Sequence, residues 1–242
     1  MFQFYQLPPL VKNIIIINII FYVATVSLSS IGISLVDYFG LHQIQSSKFY
    51  PHQLITHFFM HGSIPHLFFN MFALWMFGKT LENIWGPKRF LTYYFVTAIG
   101  AAILHIMVTQ LKISNLIDGM DISNVNSVIE NGANILQNRQ NYINSSMSKL
   151  NLLINIPTVG ASGAVFGVLL AFGLLFPNTL LYIYFAFPIK AKYFIIIYAI
   201  IELYLAIINN PNDNVAHFAH LGGMIFGYIL LKYWQKNKTH FY

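Results

Sequence analysis

Cysteine is absent from this sequence, and charge is scarce. Without a thiol there is no disulfide, no thiolate nucleophile and no iron–sulfur cluster. Asp, Glu, Lys and Arg together make up only 8% of 242 residues, against roughly 25% in soluble domains. So few charges cannot cover the surface of a water-soluble fold of this size. What the chain has instead is apolar side chains, 57% of the total. The expected class is an all-α polytopic membrane protein without a large soluble domain.

Six apolar stretches stand out, at about 13–34, 64–81, 90–111, 161–177, 191–208 and 215–234. Each approaches the ~20 residues that a spanning helix needs, the fourth and fifth being short. The first is too long for the apolar core of a signal peptide, and no convincing small-residue cleavage site follows it. With the N-terminus inside, nine of the 13 lysines and arginines fall on the inner segments, which puts both termini in the cytoplasm. Residues 178–190 are apolar but interrupted by Pro188, and read as an interfacial inner connection rather than a seventh span. Residues 35–63 are too apolar for a solvated loop and are expected in the interface. A polar, Asn- and Ser-rich outer insertion covers about 112–157, with Ile129, Ile135 and Leu136 hinting at one amphipathic helix. The whole chain, 1–242, reads as one membrane domain.

Polar groups inside a bilayer are costly, so those within the spans carry information. Ser162 opens the fourth stretch in TVGASGAVFG. A serine among small residues is a packing residue, a helix cap or a nucleophile, and packing is the commoner explanation. Gly163 and Gly167 leave one face bare. In the sixth stretch, His220 sits beside Gly223 and Gly227 at the same four-residue spacing. If the bare faces meet, the imidazole can take the hydroxyl proton; otherwise His220 is a buried histidine satisfied by a carbonyl. His217, one turn nearer water, reads as a surface histidine. His66 and Asn70, four apart at the start of the second stretch, are either helix–helix bonds or donors aimed at an oxyanion. The free N–H groups at the start of the fourth helix, that of Ser162 included, would join them. Phe166 lies one turn after Ser162, placed to pack on the imidazole. The topology puts all these groups at one depth, toward the outer leaflet. No carboxylate is placed to complete a triad, so a dyad is expected, its imidazole oriented by packing.

These residues resemble the rhomboid family of intramembrane serine proteases, bacterial type. GASGAVFG resembles the family's Gly-x-Ser-Gly motif, with Gly160 at its start. AHLGGMIFG resembles Ala-His-x-x-Gly-x-x-x-Gly, and HLFFN the His-x-x-x-Asn element. The resemblance covers about 50–234. It implies a six-helix bundle, Ser162 as nucleophile, His220 as general base and acid, and an oxyanion hole of His66, Asn70 and the Ser162 N–H. It implies cleavage of single-span membrane proteins, entering between the second and fifth helices, in a bacterial cytoplasmic membrane, with the site open to the outer side. Two departures stand out. YPHQLITH, with His52 and Gln53, replaces a Trp-Arg pair of some members, and the 112–157 insertion is long.

Other classes make different demands. A transporter would want ionisable groups at mid-membrane; Glu202 is the only acid well inside a span, and a polar neighbour is its plainer partner. Glu82 is expected to bond to Lys88 or Arg89 nearby. A metal enzyme would draw on His57, His61 and His66 or on His217 and His220, but no His-Glu-x-x-His is present. A catalytically dead member would lack the Ser or the His, and both are here. The expected partners are membrane-protein substrates and the lipid bilayer, with no cofactor, no metal and no nucleic acid.

Overall fold

A computed structural model describes residues 7–183, 187–208 and 215–236. α1 (Pro9–Ser29) opens on a proline, whose fixed φ and missing N–H suit a first turn. Its Ile16, Ile19, Ile20, Val23 and Val26 are exposed, an apolar outer face suited to lipid. The free N–H groups of Leu10 and Val11 at its start donate to the two carboxylate oxygens of Glu82, at 2.9 and 2.7 Å. Glu82, expected to bond to Lys88 or Arg89, thus meets a helix N-terminus 71 residues away. An anion belongs there, because the helix dipole and its unpaired donors both favour one.

The segment expected in the interface folds into short helices, α2 (Leu35–Phe39), α3 (Gln53–Thr56) and a 3₁₀ turn at His57–Phe59. Gln53 is fully buried and organises it. Its Oε1 accepts from the His42 N–H at 3.2 Å, and its Nε2 donates to the Lys48 carbonyl at 2.8 Å. His52 Nε2 lies 2.8 Å from the Tyr38 carbonyl. His52 and Gln53 thus hold this loop together. Leu41 and Thr158 exchange backbone bonds at 2.9 and 2.8 Å, which ties the segment to the approach to the fourth apolar stretch.

The next helical run is 54 residues long, Ile64–Ile117. A straight helix of that length would reach about 80 Å, against a bilayer core of about 30 Å. It comprises α4 (Ile64–Ala73), one π-helical turn at Leu74–Gly78, and α5 (Lys79–Ile117). Gly86 breaks it with φ +74°, and Pro87 follows. The chain doubles back there. The Phe90 ring lies beside Gly78, and Trp85 packs on Tyr93 with centroids 5.0 Å apart. Glycine is required at this turn because other residues rarely accept that φ. The run therefore supplies two legs, as the two separate apolar stretches predict.

The polar insertion is a folded unit. α6 (Ile122–Gln137) and α7 (Ser145–Asn155) pack on the far end of α5 around Ile113, Val125, Val128, Leu150 and Ile154. The expected helix is present, but its buried stripe runs through Val125, Val128, Gly132 and Ala133; Ile129 only flanks it. The asparagines satisfy each other. Asn155 Nδ2 donates to Asn151 Oδ1 at 2.9 Å, Asn151 Nδ2 to Asn141 Oδ1 at 3.0 Å, and Ser46 Oγ to Asn155 Oδ1 at 2.7 Å.

α8 (Ser162–Leu175) is followed by an antiparallel pair, β1 (Leu180–Ile183) and β2 (Phe187–Lys190), in register Leu180↔Lys190 to Ile183↔Phe187. The apolar connection 178–190 is thus a strand pair, a small exception to an otherwise helical fold. Two strands leave every position at an edge, which tolerates Pro188. α9 (Ala191–Ile208) and α10 (His217–Lys236) complete the chain. Among the described residues, Pro9–Ser29, Ile64–Ile117 and Ala191–Ile208 are long and apolar enough to cross a membrane, and Ser162–Leu175 is apolar but shorter.

Candidate active site

The site is built where α8 and α10 meet against α5. Small residues set the distances. A Cβ on Gly223 of α10 would collide with the Gly163 carbonyl oxygen and stand 2.7 Å from its carbon, so the two backbones touch. Gly163 in turn faces Ala101 of α5. The bare faces expected to pair therefore do so at Gly163 and Gly223. Gly167 and Gly227 instead face α5: Gly167 abuts Thr97, and Gly227 abuts Tyr93, whose hydroxyl donates to the Gly167 carbonyl at 2.9 Å.

This packing brings Ser162 and His220 together. Ser162 is the first residue of α8, and Val165 makes the first helical bond, to the Ala161 carbonyl at 3.0 Å. The N–H groups of Ser162, Gly163 and Ala164 consequently have no acceptor within the helix. The Ser162 hydroxyl lies 2.8 Å from His220 Nε2. The imidazole is buried and lies flat on Phe166, centroids 4.2 Å apart and planes within 8°. Phe166 is backed by Tyr198 of α9 at 5.8 Å. Phe166, expected to pack on the imidazole, is placed against it.

His66 arrives from α4. Its backbone N–H is capped by the Ser63 hydroxyl at 3.2 Å. Gly160 has φ +127°, and a Cβ there would fall 2.7 Å from both Cε1 and Nε2 of His66 and 3.7 Å from Ser162 Oγ. Gly160 is thus required twice, for its φ and to let the His66 edge approach the serine. Asn70 is buried one turn further along α4, and its amide donates to the His66 carbonyl at 2.9 Å. That bond runs back into its own helix and fixes the amide's orientation.

The expected absence of a carboxylate is overturned. Glu202 of α9 is buried, and its Oε2 lies 2.9 Å from His220 Nδ1 and 2.7 Å from His217 Nδ1. His217 is accordingly buried rather than a surface histidine. Glu202 does have polar neighbours, and they are these two imidazoles. The signal was present in part, since Glu202 is the lone acid within a span and the two histidines share a face at i,i+3.

Among the described residues, Glu202, His217 and His220 are also the one group of three donors close enough to hold a metal ion, their ligand atoms within 4.8 Å. Of the two histidine groupings that a metal enzyme would draw on, His217 and His220 are gathered here, and His57, His61 and His66 do not form such a group among the described residues. Both Nδ1 atoms lie within hydrogen-bond distance of the same Glu202 oxygen, so each can donate to it when it carries the ring proton. A metal at the same place would instead need both nitrogens unprotonated, so the two arrangements exclude each other.

Nearby, burial lowers the His57 imidazole to about 4, against the opposing bond from Nδ1 to the Gln53 carbonyl at 2.8 Å. Burial, helped by the charge of His66, lowers His61 to about 3. Both rings are neutral at ordinary pH. His57 also supports the site through its carbonyl, which accepts from the Gly160 N–H at 3.0 Å. The loop 209–214, expected to help cap the site, lies outside the described residues.

The profile of the rhomboid domain matches residues 48–236. The chain is 27% identical over 172 residues to RHOMBOID-like protein 12, mitochondrial, of Arabidopsis thaliana, covering 71% of this chain and 43% of that one. It is 27% identical over 169 residues to Rhomboid protein 1, mitochondrial, of Saccharomyces cerevisiae, covering 70% and 38%. Rhomboid-like protein 16, chloroplastic, of Arabidopsis thaliana is 25% identical over 179 residues, covering 74% and 47%. The chain spans less than half the length of these curated relatives. All three are organellar proteins of eukaryotes, so the comparisons do not support a bacterial type or a bacterial cell membrane.

Proposed function

Because this chain belongs to the rhomboid family, we propose that it is an intramembrane serine endopeptidase working through Ser162 and His220. It is an integral membrane protein. The observation that carries the reading is the 2.8 Å contact between Ser162 Oγ and His220 Nε2 at the start of a short helix. α8 has 14 residues, so it rises about 21 Å, short of a ~30 Å bilayer core. A nucleophile at its start therefore lies below the membrane surface. The supporting topology is six spans formed by α1, α4 to Trp85, Pro87 to Ile117, α8, α9 and α10. Both termini lie on the lysine-rich face and the site opens toward the other, within one membrane domain over 1–242.

The chemistry is acyl transfer. The Ser162 O–H donates to His220 Nε2, and Oγ attacks the scissile carbonyl as the proton moves to the imidazole. The oxyanion accepts hydrogen bonds from His66, Asn70 and the Ser162 N–H. The C–N bond then breaks, and His220 delivers its proton to the leaving amine. Water, deprotonated by His220, hydrolyses the ester and frees Ser162. Gly163, Gly223 and Gly227 hold the helices close enough for this, and Phe166 holds the ring plane. The substrates are single-span membrane proteins, whose helix must unwind locally to offer a carbonyl, and entry is between α4 and α9.

Cleavage of a reporter transmembrane substrate in liposomes tests the reading. Ser162→Ala and His220→Ala are expected to abolish it, and a fluorophosphonate is expected to label Ser162 only while His220 is intact. Full cleavage by Ser162→Ala would end this reading.

A further inference from the structure

The proposed nucleophile and base do not explain why a carboxylate is buried beside them. A neutral imidazole carries one N–H and one lone pair, and a general base at Nε2 requires the proton on Nδ1. A carboxylate oxygen can only accept. Glu202 Oε2 lies 2.9 Å from His220 Nδ1, on the opposite edge of the ring from Ser162 Oγ. We infer that Glu202 is the positioning residue that keeps the proton on His220 Nδ1 and leaves Nε2 as base, with His217 as the second donor that fixes the carboxylate. This rests on the reading of Ser162 and His220 as nucleophile and base.

Two further observations fit. His217 Nδ1 lies 2.7 Å from the same oxygen. A proton on Oε2 would face two nitrogens and could be donated to only one, whereas an ionised oxygen accepts from both. The geometry also divides the restraint on the ring. Phe166 lies parallel to the imidazole and fixes its plane, while Glu202 fixes which edge faces the serine. When His220 takes the serine proton, the new cation finds an anion already in hydrogen-bond contact, at a site with little water to stabilise it. Glu202 touches neither substrate nor the reacting atoms, so its effect reaches the reaction only through His220.

The test uses the full chain in detergent or liposomes. Nitrogen NMR on histidine-labelled wild-type protein, with His220→Ala for assignment, is expected to show His220 as the Nδ1–H tautomer. Glu202→Gln is expected to lower kcat by about 10²- to 10⁴-fold while KM stays within about twofold, with Glu202→Asp restoring part of the rate; known triad carboxylates, at about 10⁴-fold, mark the upper end. An Nε2–H tautomer in the wild type overturns the inference whether or not any variant folds. So does tightly bound stoichiometric zinc in the purified wild type, because a metal-bound Nδ1 carries no proton. Folded Glu202→Gln and Glu202→Ala with kcat within about threefold of wild type, below any triad effect, also overturn it, provided Ser162→Ala and His220→Ala are inactive. Activity in Ser162→Ala instead removes the dyad itself, so the two failures are distinguishable.

Discussion

Replacing Gly223 by alanine adds one methyl group at the point where α10 touches α8. That methyl would stand 2.7 Å from the Gly163 carbonyl carbon, where ordinary contact begins at 3.4 Å, so the helices must part by at least about 0.7 Å. Neither helix can yield sideways, because Gly163 and Gly222 already lie against Ala101 of α5. His220 is one turn from Gly223 on the same helix and moves with it. Its 2.8 Å bond to Ser162 then opens to about 3.5 Å or more, at or beyond the limit of a hydrogen bond. The overpacking is expected to cost about 1–3 kcal/mol of stability, and the misalignment at least about 100-fold in kcat. Reporter cleavage in liposomes, fluorophosphonate labelling and thermal unfolding in detergent measure the three effects. Gly119→Ala, where an added Cβ meets nothing within 4 Å, is the matched control and is expected to be neutral. A Gly223→Ala enzyme with cleavage within about threefold of wild type would refute the claim that this contact sets the serine–imidazole distance.

Two further outcomes follow from groups away from the serine. Glu82→Ala strands two N–H groups at the start of α1 and is expected to cost about 2–4 kcal/mol. Thermal unfolding in detergent measures this, while activity per folded molecule is unchanged. His57 ionises at about 4 in the folded chain, below its ordinary 6.5, so the unfolded chain takes up the proton first. Its contribution is fully present above pH 6.5 and is lost as pH falls toward 4. At 1.36 kcal/mol per pKa unit the loss is about 3 kcal/mol. The unfolding temperature is expected to drop through that window and to drop less in His57→Gln; equal pH profiles for the two proteins would contradict the assignment.

The apolar stretches and the small-residue spacings were legible in the sequence because both are periodic and local. They locate the helices and the pairing of Ser162 with His220, since one glycine on each bare face is enough to imply a close approach. Glu202 was visible as an isolated acid, but no spacing rule links it to histidines on another helix. Its partners follow only from how α9 lies against α10. The link from Glu82 to the first turn of α1 was hidden for a related reason, since 71 residues separate the two in sequence. In 112–157 the sequence shows only a polar, Asn-rich insertion, because composition does not reveal that Asn151 bonds to both Asn141 and Asn155. The strand pair after α8 escaped because its apolar run has no alternation and carries a proline.

α9 carries most of its side chains outward. Only Ala191, Ile195, Glu202 and Ala206 are buried, while Ile196, Ile200, Leu203, Tyr204 and Ile207 are exposed. This largely exposed helix also holds the carboxylate that meets His220. If substrate enters between α4 and α9 as proposed, an outward swing of α9 takes Glu202 with it, and a shift of about 1 Å is enough to break a hydrogen bond of 2.9 Å. Door and trigger share one shaft. On the proposed reading, cleavage waits for α9 to return behind the bound chain, so a loosely held segment that keeps the door ajar is spared, and selectivity becomes a matter of timing as well as of fit.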